Sequence, residues 1–275
     1  MSQPSSATAI TPGSADPAVC AARCRGVCKD FGAERVLHDV DLDLPAGSFV
    51  SLVVPSGCGK TTLLRIIAGL ETADAGTIEL AGHSGGEPRL GVVFQQGSLL
   101  PWKSVQRNVA LGLEIAGMSR AEISERVARA LALVHLTGSE RKYPHQLSGG
   151  MQQRAGIARA LAMDPDILLM DEPFAAVDAQ TREELHDELL AIWEGTGKTV
   201  LFVTHSIDEA IVLSDEVVVL GTRPGRVLQR FPISLPRPRT EEGARMLPEF
   251  AQLRHEIRQL LGHGEQTTGS EGGQR

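Results

Sequence analysis

Ten residues in the first quarter of the chain, VVPSGCGKTT (Val53–Thr62), carry the types that a phosphate-binding loop needs. In such a loop successive backbone N–H groups and the start of a helix point at phosphate oxygens, a lysine reaches the outer phosphates, and a hydroxyl helps to hold Mg2+. Gly57, Gly59, Lys60, Thr61 and Thr62 supply those groups, and Pro55, Ser56 and Cys58 complete the loop around them. The pattern G-x-x-x-x-G-K-[ST] begins with glycine, and this chain has Val54 there. A β-branched residue held at positive φ costs on the order of 1–3 kcal/mol, whereas at negative φ the cost is mainly steric and small. The amides that cradle phosphate lie downstream of Val54, so the loop is expected to bind nucleotide, weakened at most by this one position.

Further chemistry stands at the ends of apolar runs. Asp171-Glu172 follows ILLM (Ile167–Met170): a carboxylate there suits Mg2+, and its neighbour can polarise an attacking water. His205 ends TVLFVTH, placed for a γ-phosphate contact, and Gln95 follows GVVF. Singly each has a plainer reading, as a helix cap, a structural histidine or a surface glutamine. A second glycine-containing segment, LSGGMQQR (Leu147–Arg154), precedes an apolar helix and offers another anion site at a helix N-terminus through Ser148, Gly149 and Gly150.

Positioning these residues takes alternating strands and helices. FVSLVV (Phe49–Val54) reads as a strand buried on both faces, and Thr62–Leu70 as the helix after the loop. The stretch 96–163 reads as helical, with a capping box at Ser119 and Glu122 and one apolar face of Ile123, Val127, Ala130, Leu131 and Val134. ILLM, TVLFVTH and VVVL (Val217–Leu220) read as buried strands with a helix over 183–193 between the first two. VLHDVDLDL (Val36–Leu44) alternates like a half-buried antiparallel strand. Such an order predicts a mostly parallel sheet with ligands at the strand C-terminal ends. Residues 1–18, rich in Ser, Ala, Pro and Thr, are expected to be a disordered extension, and 236–275 an appended helical tail.

The octapeptide LSGGMQQR, with the loop and the strand-end residues, resembles the signature of ATP-binding cassette ATPases over about residues 19–235. That resemblance implies an α/β P-loop fold with a mostly parallel sheet, an antiparallel β subdomain and a helical subdomain at about 96–163. It implies ATP and Mg2+ as ligands, with Phe31 stacking on adenine, Gln95, Glu172 and His205 as catalytic groups, and Thr61, Gln95 and Asp171 toward the metal. Leu147, Ser148, Gly149, Gly150 and Gln152 would act in trans on the nucleotide of a second copy, and Asp178 would be the D-loop aspartate. Softer motifs, among them QQGSLLPWKSVQRNVALGLEIAG and PGRVLQRFPISLPRPR, resemble the importers of nitrate, sulfonates and taurine. They imply transmembrane permease subunits, a periplasmic or lipid-anchored solute-binding protein behind them, and a peripheral place on the cytoplasmic face of the inner membrane. The apolar cluster Leu99-Leu100-Pro101-Trp102 would either receive the permease or pack within the helical subdomain.

Composition is consistent with this. The 275 residues are enough for a substantial core, and no apolar run is long enough to span a bilayer. No signal peptide is seen. A net charge of −7 argues against nucleic acid as the main partner. Cys20, Cys24 and Cys28 match no common metal spacing, and their even spacing predicts small buried residues on one face of a strand. Two alternatives stand beside the importer subunit: a non-transport ATPase of the same fold, and a nucleotide-binding partner whose hydrolysis is weakened by Val54.

Overall fold

The computed structural model describes residues 10–12, 20–54, 60–82, 88–95, 99–175, 177–222, 224–237, 239 and 241–266, which fall into two compact units. The first comprises residues 1–87 and 201–275, the second 88–200.

In the first unit a four-stranded sheet has the order β1-β5-β2-β3, from β1 (Ile10–Pro12), β2 (Ala22–Phe31), β3 (Glu34–Leu44) and β5 (Ala75–Leu80). Pairing is antiparallel on both sides of β2, while β1 adds in parallel to β5. Ile10–Pro12 therefore forms an edge strand inside the stretch expected to be disordered, because backbone pairing at a sheet edge needs no side-chain pattern. The alternation in β3 buries Leu37, Val40, Leu42 and Leu44 and breaks at Asp39, whose φ is 51°. A matching register shift in β2 lies between Cys24 and Val27, where Gly26 turns at φ 59°. That bulge corrects the cysteine expectation: Cys20 and Cys24 are buried, but past the extra residue the pleat is inverted and Cys28 moves off their face. Its sulfur instead accepts the Asp39 N–H at 3.3 Å.

The same unit holds β4 (Phe49–Val53), every residue of it buried, with α1 (Lys60–Ile67) after the loop. The helix starts two residues before the expected Thr62 and ends at Ile67, because Gly69 turns the chain at φ 70°. Lying side by side are β10 (Val227–Pro232), β9 (Glu216–Leu220), β4 and β8 (Thr199–Thr204), the last of which joins this unit from Leu201 onward. β4 runs parallel to β9, and β10 antiparallel to it. On one side sit α6 (Ile207–Leu213), α7 (Glu241–Arg245) and α8 (Pro248–Gln266). Phe250 and Ile257 of α8 are buried with Ala210, Ile211, Val217 and Phe231. Arg239, buried, donates to the carbonyls of Ile211, Ser214, Ile233 and Leu235, which offsets the cost of desolvating a guanidinium.

In the second unit β6 (Leu90–Val93) runs parallel to β7 (Ile167–Asp171). Three helices pack together, α2 (Val105–Ile115), α3 (Arg120–Leu133) and α4 (Gly149–Ala162), with a short 3-10 turn at Pro144–Gln146 before the last. The expected capping box at Ser119 and Glu122 is present, with both reciprocal bonds made. Asn108 is buried and binds the Leu100 N–H and the carbonyls of Leu100, Lys103 and Ser104, fixing the turn that exposes Trp102. α5 (Ala179–Thr196) follows β7 and stops at Gly197, left-handed at φ 60°.

Candidate functional site

Each unit carries its own set of the residues singled out above. In the first, β4 delivers the chain to the loop through Val54, which is 1% exposed and donates its N–H to the Thr204 carbonyl at 3.3 Å. Val54 is not among the described non-glycine residues with positive φ. The left-handed strain that a first-position valine could have stored is therefore absent, and Val54 directly follows the end of β4. Pro55, Ser56, Gly57, Cys58 and Gly59 and the side chain of Lys60 lie outside the described residues. Thr61 and Thr62 stand in the first turn of α1, half-buried, above the buried Leu63 and Leu64.

His205 follows β8 and is exposed, between two residues that fix its backbone. The buried Thr204 hydroxyl donates to Glu209 at 2.6 Å and accepts the Ser206 N–H at 3.0 Å. Ser206 then caps α6 by accepting the Glu209 N–H. The spacing Ser206-x-x-Glu209 is a helix-start signal legible in the sequence. Phe31 stands at the end of β2, at the tip of the β2–β3 hairpin.

In the second unit the parallel register pairs Val93 with Met170. Gln95 and Glu172 each lie two residues further on, so the register brings them opposite one another. The Gln95 Nε2 donates to the Glu172 carboxylate at 3.2 Å. Asp171 and Glu172 are only 5% and 6% exposed. Two adjacent carboxylates taken out of water at a strand end call for compensating charge or donors. Glu172 also sits at φ 43°, a left-handed conformation that costs a non-glycine residue on the order of 1 kcal/mol. Strain of this kind clusters at functional sites, and no feature of the sequence announces it. These groups fit Mg2+ chemically: the donors are hard oxygens, and with the amide nitrogen of Gln95 turned to Glu172, its oxygen is the end that can ligate a cation.

The signature segment opens α4. Ser148 is the N-cap, its hydroxyl accepting the Met151 N–H at 3.3 Å, with Gly149 and Gly150 in the first turn. Leu147 is buried below, and Gln152 ties the turn down by donating to the carbonyls of Pro144 and Leu147. Gly150 has a packing reason to be glycine, since a Cβ there would come within 2.8 Å of Thr181 Cγ2. Asp178 is exposed and caps α5 by accepting the Thr181 N–H at 3.0 Å; that bond holds its carboxyl below the usual range. Among the described residues no helix is long and apolar enough to cross a membrane.

Known proteins resemble this chain along most of its length. A family model described as "ABC transporter" matches residues 37–175. The taurine import ATP-binding protein TauB of Rhizobium johnstonii is 51% identical over 239 residues, covering 82% of this chain and 90% of that protein. An ABC transporter ATP-binding protein of Methanocaldococcus jannaschii is 50% identical over 236 residues, covering 84% and 87%. A solved dimeric bacterial ABC transporter cassette superposes with a TM-score of 0.67 at 32% identity, covering 78% of this chain and 100% of that one. A second solved dimer, with the same scores, is a post-hydrolysis state bound to ADP and Pi.

Proposed function

The chain belongs to the ABC transporter family, whose ATP-binding proteins hydrolyse ATP to power transport, and we propose that it energises import of a small sulfonate, taurine first, with other aliphatic sulfonates and nitrate as the related solutes. The observation that supports this most is the 51% identity to a taurine import ATP-binding protein along 90% of that protein's length. The Gln95–Glu172 contact at two paired strand ends supports the hydrolytic part.

In this reading the 55–62 loop with Lys60 binds the phosphates of ATP, and Phe31 stacks on adenine. Thr61, Gln95 and Asp171 offer oxygens to Mg2+, whose charge, when it is bound, opposes that of the β- and γ-phosphates. Glu172 orients and polarises the water that attacks the γ-phosphate, Gln95 holds the Glu172 carboxylate by its amide, and His205 meets the γ-phosphate oxygens. Two copies form the working unit, each lending Ser148, Gly149 and Gly150 to the other's nucleotide, with Asp178 at the D-loop between them. The dimeric state of the solved relative supports that assembly. The membrane step falls to separate permease subunits at the cytoplasmic face, with the ordered Leu99–Trp102 turn as the docking point and a solute-binding protein upstream. The alternative of a crippled nucleotide binder loses its premise, since Val54 is not in the strained region.

The test is uptake of labelled taurine, ethanesulfonate and nitrate by cells lacking this gene. Taurine uptake should fall and be restored by the native gene but not by Glu172→Gln. Unaltered uptake of all three solutes would overturn the proposal.

A further inference from the structure

The hairpin tip that carries Phe31 rests on a buried lysine. Lys29 lies two residues earlier on β2, so both side chains belong to one face of the strand. The Lys29 side chain is 9% exposed, and its ammonium donates to the Thr72 carbonyl at 2.7 Å and pairs with Glu71 at 2.8 Å and Asp74 at 3.6 Å. The Thr72 carbonyl and the Glu71 carboxylate take two of the ammonium's three donors, and Asp74 adds a longer ion pair. The hydrogen bond to Glu71 raises the Lys29 pKa, so the charge persists through neutral pH. The same nitrogen lies over the Phe31 ring, 5.1 Å from its centroid, inside the reach of about 6 Å for a cation–π contact.

The tip is fixed at other points too. The Asp30 N–H donates to Asp74 at 2.6 Å, and Arg35 grips the Asp30 carboxylate with bonds of 2.9 and 3.1 Å. Gly32 makes the turn at φ 62°, a conformation glycine adopts without strain. Yet Phe31 remains 49% exposed. An anchored cation against a ring that the fold leaves half in water orders the ring without burying it.

Resting on the reading of Phe31 as the adenine-stacking residue, we infer that Lys29 is a positioning residue: its ammonium, locked by Glu71, Thr72 and Asp74, holds one face of the Phe31 ring so that the other is presented to the purine of the nucleotide. A ring ordered beforehand loses less rotamer freedom when the base arrives, so the gain falls on base binding and not on phosphate binding. A lysine that merely stapled β2 to residues 71–74 would show no such split.

The experiment titrates ATP and inorganic tripolyphosphate, each with Mg2+, into the native protein, Lys29→Met, Lys29→Arg, Phe31→Ala and the Lys29→Met/Phe31→Ala double variant. Lys29→Met should weaken ATP binding by about three- to thirtyfold, leave tripolyphosphate binding within about twofold, and add nothing further once Phe31 is alanine. Lys29→Arg, which keeps the cation, should recover most of the loss. Should Lys29→Met fail to fold, Lys29→Gln carries the same comparison, with tripolyphosphate affinity reporting an intact phosphate site. The inference alone is overturned if Phe31→Ala weakens ATP binding while Lys29→Met does not. Equal losses for both ligands, or full additivity in the double variant, overturn it as well. Unchanged ATP affinity in Phe31→Ala would remove the adenine reading and this inference with it.

Discussion

Val54→Gly restores the glycine that phosphate-loop patterns begin with, and the structure predicts that the restoration weakens the protein. Val54 is not at positive φ, so there is no left-handed strain for glycine to relieve. It is 1% exposed and continues a wholly buried strand. Deleting its three side-chain carbons forfeits about 0.8 kcal/mol each, roughly 2.4 kcal/mol in all. The added freedom of glycine in the unfolded chain costs another 0.5–1 kcal/mol or so. A loss of about 3 kcal/mol lowers the melting temperature by roughly 6–12 °C in a chain of this size. ATP affinity should stay within about threefold, because the phosphate-binding amides are expected downstream. Calorimetric melting without nucleotide, paired with ATP titration on both proteins, measures the two quantities. Affinity tightened tenfold or more at an unchanged melting temperature would refute the reasoning and return the strain to Val54.

Ser148→Arg places bulk and charge at the exposed start of α4; it should leave nucleotide binding by the monomer within about twofold and abolish ATP-driven dimerisation, read by light scattering. Gly150→Ala drives a methyl to 2.8 Å from Thr181 Cγ2 and should destabilise by about 1–3 kcal/mol, a cost that adding Thr181→Ser should largely remove in denaturant melts. The carboxyls of Asp30, Glu71, Asp164 and Asp178 are held below their ordinary values by Arg35, Lys29, Lys198 and the Thr181 N–H respectively. Lowered carboxylates contribute stability that is present above the unfolded pKa and lost as pH falls through the folded one. The melting temperature should thus be flat near neutrality and fall below about pH 4.

The strand ends were legible because the chemistry follows apolar runs: Gln95 lies two residues past β6, Asp171 closes β7 and His205 follows β8. The signature helix was equally plain from Ser148 and the pattern after it. What escaped depends on pairing and on partners far along the chain. The bulge that turns Cys28 away is set by β2 pairing with β3 on one side and β5 on the other. Lys29 reads as a surface residue until the carbonyl of Thr72, 43 residues on, is found beneath it. The tail helix was visible in its periodicity, but not that Phe250 and Ile257 complete the core around α6. Nor could one sequence decide the backbone angle at Val54, on which the expected weakening of the loop turned.

Glu172 in the native protein and as Glu172→Gln gives the most direct test of the hydrolytic mechanism, through phosphate release at saturating ATP with and without Mg2+. The native protein should turn over ATP only with Mg2+. Glu172→Gln should keep ATP affinity within a few-fold while turnover falls by about 100-fold or more, the share that a positioned general base supplies. Turnover at the native rate in Glu172→Gln, or no phosphate release by a native protein that has bound ATP, would contradict the account.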